Sequence, residues 1–336
     1  MDREESVFAA TLVGRRRNNA VANLVFGLSL GFAEIGEPLA VRSFRWRLAS
    51  GPLRIRRRLD PDSIPKGCRV LVVPYWITGQ LWDINFAEIK RRRPEVRIGT
   101  LTGISPFAAD EGCEGFHLDA GTTNRRREEN FGAIDVFLAV KAQPEGAPAT
   151  VKEVGMGRLP ELRCGPKSPT PLVVLDALKR GWDEPQYLDA VRVLAALLRA
   201  IPGLKVLVLG ANPLERDLLP RTGVVRLRAR RISFARLARL WAQAWATVCH
   251  NESFGYSVIE NGFSGTRVFT SRLAQLPAWH RPEPLEGLGE HLGRWRAMSG
   301  DGRQRAAQAL AESYARGHPE LCSWTEAARR IAGAFG

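Results

Sequence analysis

The sequence predicts an α/β protein built from two Rossmann-like domains, and three observations carry that prediction. Short apolar strands, such as Arg69-Val-Leu-Val-Val73 and Lys205-Val-Leu-Val-Leu209, alternate with helical patterns in both halves of the chain. That alternation implies mostly parallel sheets covered on both faces. It is interrupted once, at the Gly- and Pro-rich stretch Gly155 to Thr170, which reads as an interdomain linker. The 336 residues, 45% hydrophobic and 25% charged, suit two globular domains of ordinary size.

The elements follow in order. Val7 to Val13 reads as a buried strand, Gly14 to Asn19 as a loop, and Ala20 to Ala33 as an apolar helix capped by Asn18 or Asn19. Pro38 to Val41 resumes as a strand. Next come the strand Arg69 to Val73, a helix over Leu81 to Arg92, the strand Val96 to Leu101, a helix near Arg126 to Gly132 and the strand Asp135 to Val140. After the linker, Leu172 to Leu175 is a strand and Gln186 to Ala200 an amphipathic helix. Strands are expected at Lys205–Leu209, Val224–Leu227 and Ala246–Cys249, with a helix from Ser233 to Ala244 capped by Ser233. Two helices, near Arg303 to Ala315 and Thr325 to Ala334, close the chain. The domains are expected at 1–165 and 166–321, with the segment 322–336 packing back on the first.

Charge and cysteine usage narrow the classes of function. The formal net charge is +14. The excess is arginine-rich, in runs at Arg15–Arg17, Arg56–Arg58, Arg91–Arg93, Arg125–Arg127 and Arg226 to Arg231. Such a surface attracts polyanions. No stretch of about 18 uncharged apolar residues is present, so no membrane span is expected. The acidic start Met1-Asp-Arg-Glu-Glu5 lacks the basic region and apolar core of a secretory signal. The five cysteines are scattered, without a Cys-x-x-Cys pair. Free thiols in a reducing cytoplasm are therefore expected.

The densest motif is Glu252-Ser-Phe-Gly-Tyr-Ser-Val-Ile-Glu260, followed by Gly265 and the strand-like Val268-Phe-Thr270. A helix starting near Gly255 places Glu252 in the preceding loop and Glu260 on the helix. Orphan N–H groups at that helix start, near Tyr256 and Ser257, attract an anion. One carboxylate is then positioned for sugar hydroxyls and the other for ribose hydroxyls, with a phosphate between them. These residues resemble the Glu-x7-Glu segment of retaining glycosyltransferases of the GT-B fold, a family-4-like group. Glu252, Phe254, Gly255, Glu260, Gly265 and Val268 match the motif, while Asn261 stands where Ala is usual and Arg267 where Pro is usual. The likeness extends over Pro171 to Ser271. It implies a GT-B architecture: two Rossmann-like domains facing each other across a cleft, with an acceptor-binding first domain and a donor-binding second domain.

The resemblance also implies roles for other residues. Lys179 and Arg180, after the strand ending at Leu175, take the place of the family's Arg/Lys pair. Either of them is placed to stabilise the leaving diphosphate. Leu207 to Gly210 resembles the family's strand-plus-Gly segment, which brings Gly210 and Asn212 to the donor. Gly14 and Arg15, at the tip of the first strand, are cleft candidates, as is His250 beside the motif. The family often has a His at the end of a first-domain strand. That position holds none here, and His117 is the nearest alternative. Asp60-Pro-Asp62 reads as a turn, so no metal and no cofactor are expected.

The expected activity is transfer of a sugar, with retention, from a nucleotide diphosphate sugar to a carbohydrate, lipid-linked or small-molecule acceptor. The alternatives are a nucleotide-sugar epimerase or phosphorylase on the same fold, or a degenerate binding subunit, because fold does not fix reaction. The expected partners are the donor and the acceptor. Weak contact with anionic membranes is a further expectation, and nucleic acid is not expected. The expected location is the cytoplasm, with peripheral association at the inner membrane face.

Overall fold

The structure is a computed structural model. It describes residues 7–11, 20–37, 39–43, 45–48, 55–58, 61–64, 66–74, 82–83, 86–102, 132–139, 149–176, 184–210, 218–227, 232–249, 256–270, 282–317 and 323–336. The chain divides into two compact units. The first comprises Asn19–Gly157 and Glu320–Gly336 with the opening strand; the second is built on Arg158–Pro319. Each carries a six-stranded, wholly parallel sheet.

In the first unit the sheet order is β2-β1-β5-β7-β8-β9. These strands are β1 (Val7–Thr11), β2 (Leu39–Ser43), β5 (Val70–Pro74), β7 (Arg97–Thr102), β8 (Val136–Ala139) and β9 (Val151–Glu153). One face buries Leu71, Val73, Ile98 and Phe137 against Phe86 and Ile89 of the Phe86–Arg92 helix. Asp135 fixes that helix to the sheet. Its carboxylate accepts from the Ile98 backbone N–H at 2.6 Å and pairs with Lys90 at 2.6 Å.

The Ala20–Glu34 helix buries Leu24, Val25, Leu28 and Phe32. It packs against the C-terminal helix Trp324–Ala334. Gly27 and Gly31 allow the contact, since a Cβ on either would collide with Trp324. The C-terminal helix is capped by Ser323, which accepts from the Glu326 N–H at 3.2 Å. Its end is anchored by Arg97, which donates to the Phe335 carbonyl at 2.6 Å and lies over the Phe335 ring.

A separate three-stranded sheet also belongs to this unit, in the order β3 (Arg45–Leu48), β4 (Ile55–Arg58), β6 (Trp82–Asp83). The sequence reading misses it, because Arg56–Arg58 looks like a solvated basic run. It also starts a helix at Leu81. In the structure Trp82 and Asp83 pair with Arg57 and Arg58, and the helix begins only at Phe86. The helix expected near 126–132 lies outside the described residues, except for its last position.

In the second unit the order is β12-β11-β10-β13-β14-β15. The strands are β10 (Leu172–Asp176), β11 (Lys205–Leu209), β12 (Val224–Leu227), β13 (Ala246–Cys249), β14 (Arg267–Thr270) and β15 (Glu283–Pro284). Val173, Leu175, Val206, Val208 and Val248 pack on Tyr187, Val191 and Leu194 of the Glu184–Ala200 helix. Leu288, Leu292 and Trp295 join that core from the Leu288–Ala297 helix, which the sequence reading overlooks. On the Phe234–Gln243 helix, Phe234, Leu237 and Trp241 are buried. Ser233 caps this helix, accepting from the Arg236 N–H at 3.3 Å. Gly300–Gly317 forms the last helix of the unit. No helix among the described residues is long and apolar enough to cross a membrane.

Candidate active site

The strand order of the second unit marks a candidate position for a ligand. The first strand, β10, has β11 and β12 on one side and β13, β14 and β15 on the other, so the winding reverses between β10 and β13. Open parallel sheets bind ligands outside the carboxyl ends of the strands at such a reversal. The register places Asp176, the last residue of β10, beside Cys249, the last residue of β13, and beside Leu209, the last of β11. One row of backbone therefore launches three connections from one edge. Lys179 and Arg180 follow Asp176, Gly210 and Asn212 follow Leu209, and His250 and Glu252 follow Cys249.

The described residues hold the stems of these connections. Gly210 is buried with φ 115°, and its N–H donates to the Leu227 carbonyl at 2.9 Å. Asp176, buried at the carboxyl end of β10 beside the reversal, is a candidate the sequence reading did not single out. A carboxylate directly after four apolar strand residues was the available signal. Tyr256, Ser257 and Glu260 lie on the Tyr256–Phe263 helix, with Glu260 half-buried on its last turn but one. Glu252, Phe254, Gly255, His250, Lys179, Arg180, Asn212, Gly14, Arg15 and His117 lie outside the described residues.

The helix that carries Glu260 is held at its side and at its end. At its side, Asn261 accepts a hydrogen bond from the Thr247 hydroxyl of β13 at 2.7 Å, both residues being fully buried. This explains the Asn at a position where the motif usually has Ala: its partner is Thr247 on the neighbouring strand. At its end, the Thr266 N–H bonds to the Asn261 carbonyl and the Gly265 N–H to the Gly262 carbonyl, both at 2.9 Å. With Gly265 at φ 70°, this is a Schellman cap. Gly262 lets the helix lie against Tyr314, whose ring a Cβ there would meet at 2.6 Å.

Lys167 ties this cap to the rest of the unit. The residue is half-buried, and its amine is enclosed, donating to the carbonyls of Ala244 at 3.0 Å and Ser264 at 3.2 Å and to the Thr266 hydroxyl at 2.6 Å. Thr266 in turn donates to the Trp241 carbonyl at 2.6 Å. Burial pulls the Lys167 pKa down to about 7, while three oxygen acceptors match the three donors of an ammonium. The root of β13 is set by His291, whose Nε2 lies 3.0 Å from the Trp245 carbonyl and must carry the proton to donate to it. The ring lies tilted against Phe269 and Trp295, with centroids 5.2 and 5.1 Å away, and burial lowers its pKa to about 4. It is therefore neutral above mildly acidic pH.

Among the described residues no cluster of His, Cys, Asp and Glu is arranged to hold a metal. Asp62, half of the Asp-x-Asp, sits in the 3-10 turn Pro61–Ser63 and pairs with Arg92 on the surface.

No protein-family profile matches the sequence, and no curated protein does. Solved structures do match along the whole chain. Sucrose-phosphate synthase from Thermosynechococcus elongatus superposes with a TM-score of 0.58 at 13% identity, covering 98% of both chains. The UDP-GlcNAc 2-epimerase from Neisseria meningitidis, bound to UDP-GlcNAc, gives 0.54 at 10% identity, over 98% of this chain and 99% of that one. The glycotransferase of kitacinnamycin gives 0.51 at 14%, over 99% and 100%. The chain has the GT-B fold, two Rossmann-like α/β domains in one polypeptide.

Proposed function

We propose that this protein is a retaining, metal-independent glycosyltransferase that moves a sugar from a nucleotide diphosphate sugar to an acceptor. The observation that carries the reading is the register row Leu209–Asp176–Cys249, from which the connections bearing Asn212, Lys179/Arg180 and Glu252 all depart. The strand ends that precede these candidates in the chain thereby share one sheet edge at the winding reversal, where a nucleotide is expected.

In this reading Glu260 holds the ribose hydroxyls and Glu252 the sugar hydroxyls. The phosphates lie toward the start of the Tyr256–Phe263 helix, near Phe254, Gly255, Tyr256 and Ser257. The acceptor hydroxyl attacks the anomeric carbon on the face the leaving group occupies. The bond from that carbon to the diphosphate oxygen breaks, the leaving phosphate takes the acceptor proton, and the products are a glycoside and a nucleoside diphosphate. Lys179 or Arg180 stabilises the charge that develops on the diphosphate. The candidate acceptor contacts are Gly14, Arg15 and His117 of the first unit and His250 of the second.

Epimerisation of the donor is the second reading. The match to the Neisseria enzyme supports it at the level of fold. A thermal-shift screen with UDP, GDP, ADP and their sugars tests both. A nucleotide at about 100 times its dissociation constant adds about 2.7 kcal/mol of stability. The Glu260→Ala variant is expected to need at least about tenfold more of the same nucleotide. Equal response of Glu260→Ala and wild type would remove Glu260 from the site. Conversion of the donor in the absence of any acceptor would favour the epimerase.

A further inference from the structure

The helix that carries Glu260 is gripped at the end far from the candidate ligand. β13 and β14 are parallel, so the Tyr256–Phe263 helix that joins them runs from the carboxyl edge of the sheet back to its amino edge. Its start belongs to the candidate edge, and its end meets Lys167. From there two hydrogen bonds lead to Glu260. The Lys167 amine donates to the Ser264 carbonyl at 3.2 Å, and the Ser264 hydroxyl donates to the Glu260 carbonyl at 3.0 Å. The same amine reaches the Ala244 carbonyl, just past the Phe234–Gln243 helix, and the Thr266 hydroxyl, just before β14. One side chain thus pins the helix end to its two neighbours.

The grip depends on a full set of protons. Thr266 donates to the Trp241 carbonyl, which leaves its lone pairs for the amine. Three oxygens therefore face one nitrogen. An ammonium has a proton for each, whereas a neutral amine has two protons and a lone pair that one oxygen must face. The Trp295 ring, 5.9 Å from the amine, also favours the cation.

We infer that Lys167 is a positioning residue for the candidate nucleotide and that its proton is a switch: the ammonium clamps the end of the helix bearing Glu260, and the neutral amine releases it. The inference rests on the donor-site reading for the nucleotide but not for the clamp. Burial brings the Lys167 titration to about 7, so the switch turns as pH rises through neutrality. The groups around the amine do not titrate in that window. Burial pushes the Cys164 thiol up and holds His291 at about 4, while Arg158, Arg267 and Arg303 keep their charge. Stability against global unfolding still rises with pH there, because the neutral amine sheds its cost of burial. What weakens is the local hold on the helix.

The test follows amide hydrogen exchange in the full chain between about pH 6 and pH 8.5, either side of that titration. Protection of the Gly265 and Thr266 amides, which bond to the Gly262 and Asn261 carbonyls, is expected to fall at least about fivefold. The Lys205 and Val206 amides, bonded to Pro171 and Gly223, are expected to show no fall. Lys167→Gln has nothing to titrate there and is expected to lose the step; if it does not fold, the wild-type profile decides. UDP-glucose, GDP-glucose and ADP-glucose are the nucleotide probes, because their diphosphates have no free end to titrate. The probe that binds is expected to bind at least about fivefold more weakly at the higher pH. Its binding is also expected to take up protons near neutrality, read by calorimetry in buffers of different ionisation heat. A flat wild-type profile at Gly265 and Thr266 overturns the inference, as does proton uptake that persists in Lys167→Gln. A step in exchange with no probe bound at any pH leaves the clamp standing and overturns the donor-site reading.

Discussion

At the scale of single residues, the hydrogen bond between Thr247 and Asn261 decides how firmly Glu260 is presented. Both side chains are fully buried, so removing the Asn261 carboxamide takes away the acceptor of the Thr247 hydroxyl where no water replaces it. Asn261→Ala, which restores the residue usual in the motif, is expected to lower stability by about 1–3 kcal/mol. Thr247→Val combined with Asn261→Ala is expected to recover part of that loss, because neither polar group is then left alone. A double-mutant cycle by urea unfolding checks this; strictly additive effects would show the pair is not coupled. The sequence marks Asn261 as a departure from pattern, but a departure does not name its partner. Thr247 lies on another element, fourteen positions away, and only the parallel pairing of β13 beside the helix brings the two together. Asp176 and Lys167 escape sequence reading for the same reason. A charged residue at a strand end or in a Gly/Pro stretch looks solvated until the fold encloses it.

At the scale of elements, the Tyr256–Phe263 helix is short, and its end matters as much as its face. Gly265 combines a left-handed backbone with close approach, since a Cβ there would meet the Ala307 carbonyl oxygen at 2.6 Å and the Cys164 sulfur at 2.9 Å. Gly265→Ala is expected to cost at least about 1–3 kcal/mol, from positive φ and steric conflict together. It is also expected to weaken nucleotide binding through the displaced helix; a melting temperature within a degree of wild type would contradict this. The main strands, with the Glu184–Ala200 and Phe234–Gln243 helices, are legible in the sequence because apolar runs and a capping residue such as Ser233 mark them locally. The hairpin β3–β4 is not legible, because alternating arginine and tryptophan residues give a weak strand signal and its stability depends on pairing. The Leu288–Ala297 helix carries arginines and glycines that dilute its apolar stripe, yet Leu288, Leu292 and Trp295 bury it.

At the scale of the whole molecule, two buried bases set how stability responds to pH. His291 titrates near pH 4 in the folded protein against 6.5 in the unfolded chain, and Lys167 near 7 against 10.5. In both cases the unfolded chain binds the proton first as pH falls, so stability rises with pH across each window. For His291 the loss between pH 6.5 and 4 amounts to about 3 kcal/mol, and His291→Phe is expected to flatten that part of the profile. Melting temperatures unchanged from pH 7 to pH 4 would contradict the assignment. Above pH 7 the slope continues toward pH 10.5 as Lys167 loses its cost of burial. These groups brace the second unit at the amino ends of β13 and β14, the edge opposite the one that the candidate connections leave, and the proposal that the carboxyl edge is a donor site has a direct measurement. Nucleoside diphosphate release is followed in wild type and Glu252→Gln, with the donor identified by thermal shift, phosphate-bearing and neutral sugar acceptors, and EDTA present. The account predicts acceptor-dependent release by wild type, a loss of about a hundredfold or more in Glu252→Gln, and unchanged nucleoside diphosphate binding by both. Full activity in Glu252→Gln, or release that requires a metal, would contradict it.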